Sequence, residues 1–276
     1  MTPSDPLDSG YWPLPLRLSP GSVIVPVVLT VVAAWLIVVV VDLLSNPTNE
    51  ASWRPMWQHL FNDRPIEWMQ WFLLPATILT AAYLSARLDA VGERRIAAFF
   101  LLFSVATALM LIEDAGDIRH VLYSYASRRV NGDSIFGLPV RVVTDGPYLA
   151  LLAIVPIYAI LRYGRDVWRS PRTRPWLVLG FGLYALAGGS SGIRHLGDFY
   201  IRVGRWIDES TLGSRFPVPA GETQEIAHFL LVDSLIEESV ETIAAGCFLA
   251  MVLAFAADFR AGRVPSSNAL QARAAP

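Results

Sequence analysis

Six stretches of this chain are apolar enough, and long enough, to cross a bilayer: 22–44, 66–86, 96–117, 148–163, 176–195 and 230–257. A crossing helix needs about 20 mostly apolar residues to span the hydrocarbon. The first stretch is the purest apolar run, and it is too long and too far along the chain to read as a cleaved signal peptide. Pro75 predicts a kink in the second stretch, and Pro156 lies within the fourth. No period of 20–50 residues recurs, so the pattern predicts one domain. The expected fold is an all-α, polytopic membrane bundle over 22–260, preceded by an extended segment (1–21) and followed by a flexible tail (261–276).

Between the first two spans, Trp53, Met56, Trp57, Leu60 and Phe61 fall on one helical stripe. That predicts an amphipathic helix lying in the membrane interface. Phe199, Ile201, Val203, Trp206 and Ile207 suggest a second one, with less regular spacing. Both read first as anchors and second as partner surfaces. Tyr11 and Trp12 would anchor the proline-rich start along the inner surface.

Arginine sets the orientation. Arg87, Arg94 and Arg95, then Arg162, Arg165, Arg169, Arg172 and Arg174, then Arg260 and Arg263, all fall on one side of a six-span bundle. Positive-inside sorting puts that side, and both termini, in the cytoplasm of a cell with this protein in its inner (plasma) membrane. The opposite side is net negative and carries all 4 histidines. Such a face favours cations over anions.

Composition narrows the classes. Hydrophobic residues are 54%, charged residues 17% and mean hydropathy +0.43. Soluble domains carry about 25% charge. A disordered chain, a coiled coil, a disulfide-stapled mini-protein and a basic nucleic-acid binder are all excluded. Lysine is absent, so all 22 basic residues are arginine, and no Schiff-base chemistry is available. Cys247 is the single cysteine and reads as packing within the last span.

Ionisable residues enter three spans, always toward the acidic side. The third holds Glu113, Asp117 and His120 at i, i+4, i+7. The fifth repeats that spacing with Ser191, His195 and Asp198, and the sixth with Ser234, Glu238 and Glu241, with Glu237 on the same side. At a 1.5 Å rise, Glu113 and Glu241 both lie about 25 Å from the cytoplasmic ends of their helices. Charges at such depth face a bundle interior or a wet cavity and pair there. The expectation is a shared outward-opening site, with the first, second and fourth spans as a lipid-facing shell.

Several chemistries fit those residues. Acids with histidine at helical spacing suit a divalent metal ion, so Glu113, Asp117, His120, His195, Asp198, Glu237, Glu238 and Glu241 are the candidate ligands. The same groups could relay protons. Paired with Arg119 and Arg194, they could instead form an ion-pair network that only fixes helix register. His120 and His195 could also clamp a haem. Neither the Glu-x-x-His pair of di-iron bundles nor a His-Glu-x-x-His run is present.

The run Gly188-Gly189-Ser190-Ser191-Gly192 contains a Gly-x-Ser-Gly pattern that resembles the nucleophile motif of rhomboid intramembrane serine proteases. The resemblance implies a six-span hydrolase with Ser190 or Ser191 attacking and a histidine deep on the last helix. Here that helix offers His228, at its mouth. Seven-span ceramidase-like metal hydrolases also place acids, serine and histidine near one surface, but the His-x-x-x-His pair of their last span is missing. Small residues in a span otherwise mean close helix packing.

Three functions stay open at this point. One is a carboxylate/histidine site for a divalent cation or protons. Another is an accessory subunit of a larger respiratory or photosynthetic membrane complex, touching other subunits as well as lipid. The last is an intramembrane hydrolase.

Overall fold

A computed structural model describes residues 18–44, 54–62, 65–130 and 134–264. Tyr11, Trp12, Trp53 and the tail from 265 onward lie outside the described residues.

Helix α1 (Pro20–Val38) starts where Ser19 accepts the Ser22 amide at 3.2 Å and Pro20 presets the first helical φ. It continues through wider π-helical turns, Val39–Leu44. Asp42 in those turns accepts the amides of Met56 (2.8 Å) and Trp57 (2.9 Å), satisfying two backbone donors that the next helical turn would leave unpaired. Then come α2 (Pro65–Ala90), α3 (Arg94–Gly116) and the short α4 (Ile118–Ser127). A two-residue hairpin, β1 (Ser134–Ile135) with β2 (Leu138–Pro139), turns through Phe136 and Gly137 and leads into α5 (Val140–Val167). Next are α6 (Arg174–Ile193) and α7 (Phe199–Ile207). The last long helix is α8 (Gln224–Leu230), which runs on through π turns Leu231–Glu237 into α9 (Glu238–Arg260). Six of these helices are long and apolar enough to cross a membrane, the number the hydropathy pattern predicts.

The last span is the hub. In its apolar window 78% of residues are buried, against 11% for α5. Lipid is as apolar as leucine, so burial alone does not drive helices together in a bilayer; close packing does. Ala244, Ala245, Gly246, Ala250 and Ala254 give α9 a slim surface. At Gly246 a methyl group would come within 3.2 Å of Ile24 and Val27, so α1 lies against bare backbone there. Around this hub, Phe99, Phe100, Phe103, Phe248 and Phe255 form one ring-packed core.

The helical turn at Gln58–Asn62 departs from the amphipathic-anchor expectation. Trp57 and Phe61 are buried rather than facing lipid. They pack on Val38, Phe216, Leu231 and Leu235, with Trp57 stacked on Phe216 at 5.5 Å. The hydrophobic stripe is real, but a protein surface covers it. In α7 the stripe is only partly covered: Phe199, Ile201, Val203 and Ile207 are half-buried and Trp206 is 67% exposed, while Tyr200, off the stripe, is fully buried.

The arginine-rich end is closed by ion pairs. Asp258 of α9 accepts from Ser170 Oγ (2.8 Å), the Arg172 amide (3.2 Å) and Arg263 Nε (2.8 Å). Asp166 of α5 takes Arg95 Nε at 2.9 Å and has Arg169 at 3.5 Å.

Candidate functional site

At the acidic end the helices part around a chamber of about 910 Å³. Small-molecule sites commonly fall between about 300 and 1,000 Å³. Eight carboxylates and two guanidiniums line it. Of the candidate residues, Glu113, Asp117, His120, Glu237, Glu238 and Glu241 reach the chamber wall. His195 and Asp198 do not.

Two breaks in the chain explain the division. Helix α3 ends at Gly116, and Asp117 sits in the left-handed region (φ 47°), so α4 restarts in a new direction. His120 is therefore not one turn further along the face of Glu113. It bonds back to Asp117 instead. Likewise α6 ends at Ile193, and Gly197 (φ 57°) and Asp198 (φ 53°) turn the chain before α7. Ser191 stays on the chamber, His195 stacks on Phe229 at 5.3 Å, and Asp198 is exposed. The first triplet still reaches the wall despite its break, and the third, Ser234, Glu238 and Glu241, reaches it from one helix; only the second is divided. The third adjoins π-helical turns, a feature frequent at functional sites.

Two arginines organise the mouth. Arg194, 4% exposed, donates to Asp233 at 2.7 Å, reaches His120 Nε2 at 3.1 Å and lies 3.8 Å from Asp145. Arg119 donates to Ser191 Oγ and sits 3.5 Å from Glu113. Burial pulls the Arg119 pKa down, but the charges of Glu237, Glu113, Asp145 and Glu241 outweigh it and hold the guanidinium charged beyond its usual range. Behind them, the buried Tyr200 hydroxyl donates to Glu237 Oε2 at 2.7 Å and lies 3.1 Å from Ser190 Oγ. Burial and the Glu237 charge push the Tyr200 hydroxyl well above its usual range, so it stays a donor. His195 is the reverse case: burial, then Arg194 and Arg141, lower it to about 4. It stays neutral and accepts from Arg141 at 2.9 Å.

Deeper in, the accounting of partners fails. Gln70 of α2 donates to Glu241 at 3.2 Å, and Trp71 donates to Asp114 at 2.7 Å. Yet Glu113 Oε2, Glu238 Oε2, Gln70 Oε1 and Thr242 Oγ1 are buried without any partner. Buried polar atoms of this kind are few in native proteins and call for a reason.

The expected lipid-facing shell is only partly that. Helix α2 supplies Glu67 and Trp71 to the wall and Gln70 behind it. Helix α5 begins at Val140 rather than at Tyr148, and so brings in Arg141 and the buried Asp145. The sequence signal for Asp145 was hidden, because it precedes the apolar run and reads as loop.

The glycine run does not serve close packing throughout. Methyl groups added at Gly188 or Gly189 would meet nothing within 4 Å, because both border the chamber. The hydrolase arrangement is also not assembled. Ser190 donates to the Ala187 carbonyl, Ser191 accepts from Arg119, and His228 bonds Asp208 at 3.0 Å and Gln224 at 3.1 Å. Among the described residues, no three of His, Cys, Asp or Glu are placed to hold one metal ion. Cys247 is free and buried, as its position predicts.

The chain matches no family model, no curated protein and no solved structure.

Proposed function

We propose that this multi-pass membrane protein handles protons at the acidic chamber. Glu113, Glu237, Glu238 and Glu241 act as proton sites, and Tyr200 with Ser190 extends the path behind Glu237. The arginine-rich end would face the cytoplasm of the inner membrane, so the chamber takes protons from outside. One observation carries the reading: eight carboxylates share a chamber with two guanidiniums at one end of a bundle of apolar spans, while acid oxygens there have no donor. Negative charge in excess at low dielectric must be neutralised, and a proton supplies both the charge and the missing donor.

Lipid covers the exposed apolar faces of α1 and α5 in this reading. Other subunits could cover the same faces, but no feature of those faces favours them.

The test is infrared difference spectroscopy of the protein in liposomes during a pH jump. Buried carboxyl bands are expected to appear and vanish with pH, and to shrink in Glu238→Gln and Glu241→Gln. Carboxyl bands that ignore pH, or that survive both substitutions unaltered, would refute proton handling here.

A further inference from the structure

The acids occupy only one half of the chamber. The other half is apolar, walled by Phe103, Met110, Ile160, Phe181 and Phe248, and proton handling gives it no task. The chamber is also open sideways. Ile157 of α5 is 52% exposed and Ile193 of α6 is 43% exposed, yet both line the chamber. Ala150, Ala185 and Gly189 likewise line it and are exposed. A wall residue that touches both the chamber and the lipid side marks a slot, here between α5 and α6. Gly188 and Gly189 keep that slot wide, since a side chain on either would project into open space.

We propose that the chamber binds a cationic amphiphile, an ammonium-type head group on a long alkyl chain, that enters from the bilayer through the α5–α6 slot. Three features select this ligand. The apolar half accepts the chain. The surplus of carboxylates selects a positive head and disfavours a phosphate or sulfate. Glu113 and Glu238 both line the chamber, and each has an Oε2 atom without a hydrogen-bond partner that can accept from an N–H of the head group. The proposal goes beyond proton handling and stands whether or not those acids move protons.

The full chain in a nonionic amphipol, titrated calorimetrically with dodecylammonium, tests it. Saturable binding at one site is expected, at least tenfold tighter than for dodecyl sulfate or dodecyl maltoside, and absent for methylammonium. Gly189→Leu is expected to weaken binding tenfold or more by filling the slot, with thermal stability unchanged or raised. Ala185→Leu provides the same test at a second position, and Glu238→Gln should weaken binding of the cationic probe alone. Binding that ignores head-group charge, or that survives both slot substitutions, overturns the proposal. Carboxyl bands that fail to titrate would sink proton handling and leave this result intact.

Discussion

The two ends of the bundle solve the problem of buried charge in opposite ways. At the arginine-rich end two buried acids are satisfied: Asp258 has Ser170, Arg172 and Arg263, and Asp166 has Arg95 and Arg169. At the acidic end, carboxylates outnumber arginines, and the unpartnered acid oxygens collect there. Charges with complete partners tie helices together. In the proposed reading, charges left incomplete in the cavity take up the proton or cation that arrives. Local rules fail where function needs them to fail.

The comparison predicts that the same kind of substitution acts oppositely at the two ends. Asp258→Ala strips the partners from Ser170 Oγ and the Arg172 amide, and frees Arg263. Its carboxylate is fully buried, and breaking such a set costs about 3 kcal/mol. A large drop in detergent-unfolding midpoint is expected. An unmoved midpoint would show that the arginine-rich end is not the clamp described.

Helix α6 carries the contrast within one element. A Cβ at Gly180 would fall 2.7 Å from the Phe248 ring, inside the packed core. Gly180→Ala should cost about 1–3 kcal/mol through overpacking. Gly188, two turns along and facing the chamber, has nothing within 4 Å. Gly188→Ala should therefore stabilise by about 0.5–1 kcal/mol, the ordinary helix preference for alanine over glycine. Thermal scans of both variants under identical conditions decide this, and equal signs would contradict a chamber beside Gly188.

Glu238→Gln gives a smaller effect. The glutamine keeps the shape and removes a charge from a crowded wall. Stability should hold or rise by about 1 kcal/mol or less. A marked loss would mean that Glu238 has a structural partner, contrary to its bare Oε2.

Much of this architecture was legible in the sequence, for physical reasons. A 20-residue apolar run has little choice in a bilayer but to be a helix, so all six spans stood out. The deep acids Glu113, Glu238 and Glu241 stood out too, because charge in an apolar run is rare. Legibility failed where backbone geometry interrupted the period. The spacing of Glu113, Asp117 and His120 assumed one continuous helix, and the left-handed residue at Asp117 ended it. The same happened where α6 ends at Ile193: His195 falls in the turn beyond it, off the chamber wall, and Gly197 and Asp198 then redirect the chain into α7. Asp145, Gln70 and Tyr200 escaped notice because each lies alone, at a helix start or in a short helix, with no repeat to mark it. Trp57 and Phe61 were read correctly as a stripe but assigned to lipid, since periodicity shows that a face is covered and not what covers it.

The smallest effect concerns pH at His195, next in the chain to Arg194 of the chamber wall. His195 accepts from Arg141 as a neutral ring, with its pKa lowered to about 4 from 6.5 by burial and then by Arg194 and Arg141. Above about pH 6.5 the ring is neutral folded or unfolded and adds no pH dependence. As pH falls from 6.5 toward 4 the unfolded chain takes a proton that the folded one refuses, so stability declines across that window. Half-burial weakens the effect through solvent screening. His195→Gln keeps an acceptor for Arg141 without a titrating ring, and should flatten that part of the stability curve while leaving the region above pH 7 unchanged. Melting temperatures of the two proteins from pH 4 to 8 measure it directly. Parallel curves across the window would mean that His195 is charged in the fold, and that its bond to Arg141 does not form.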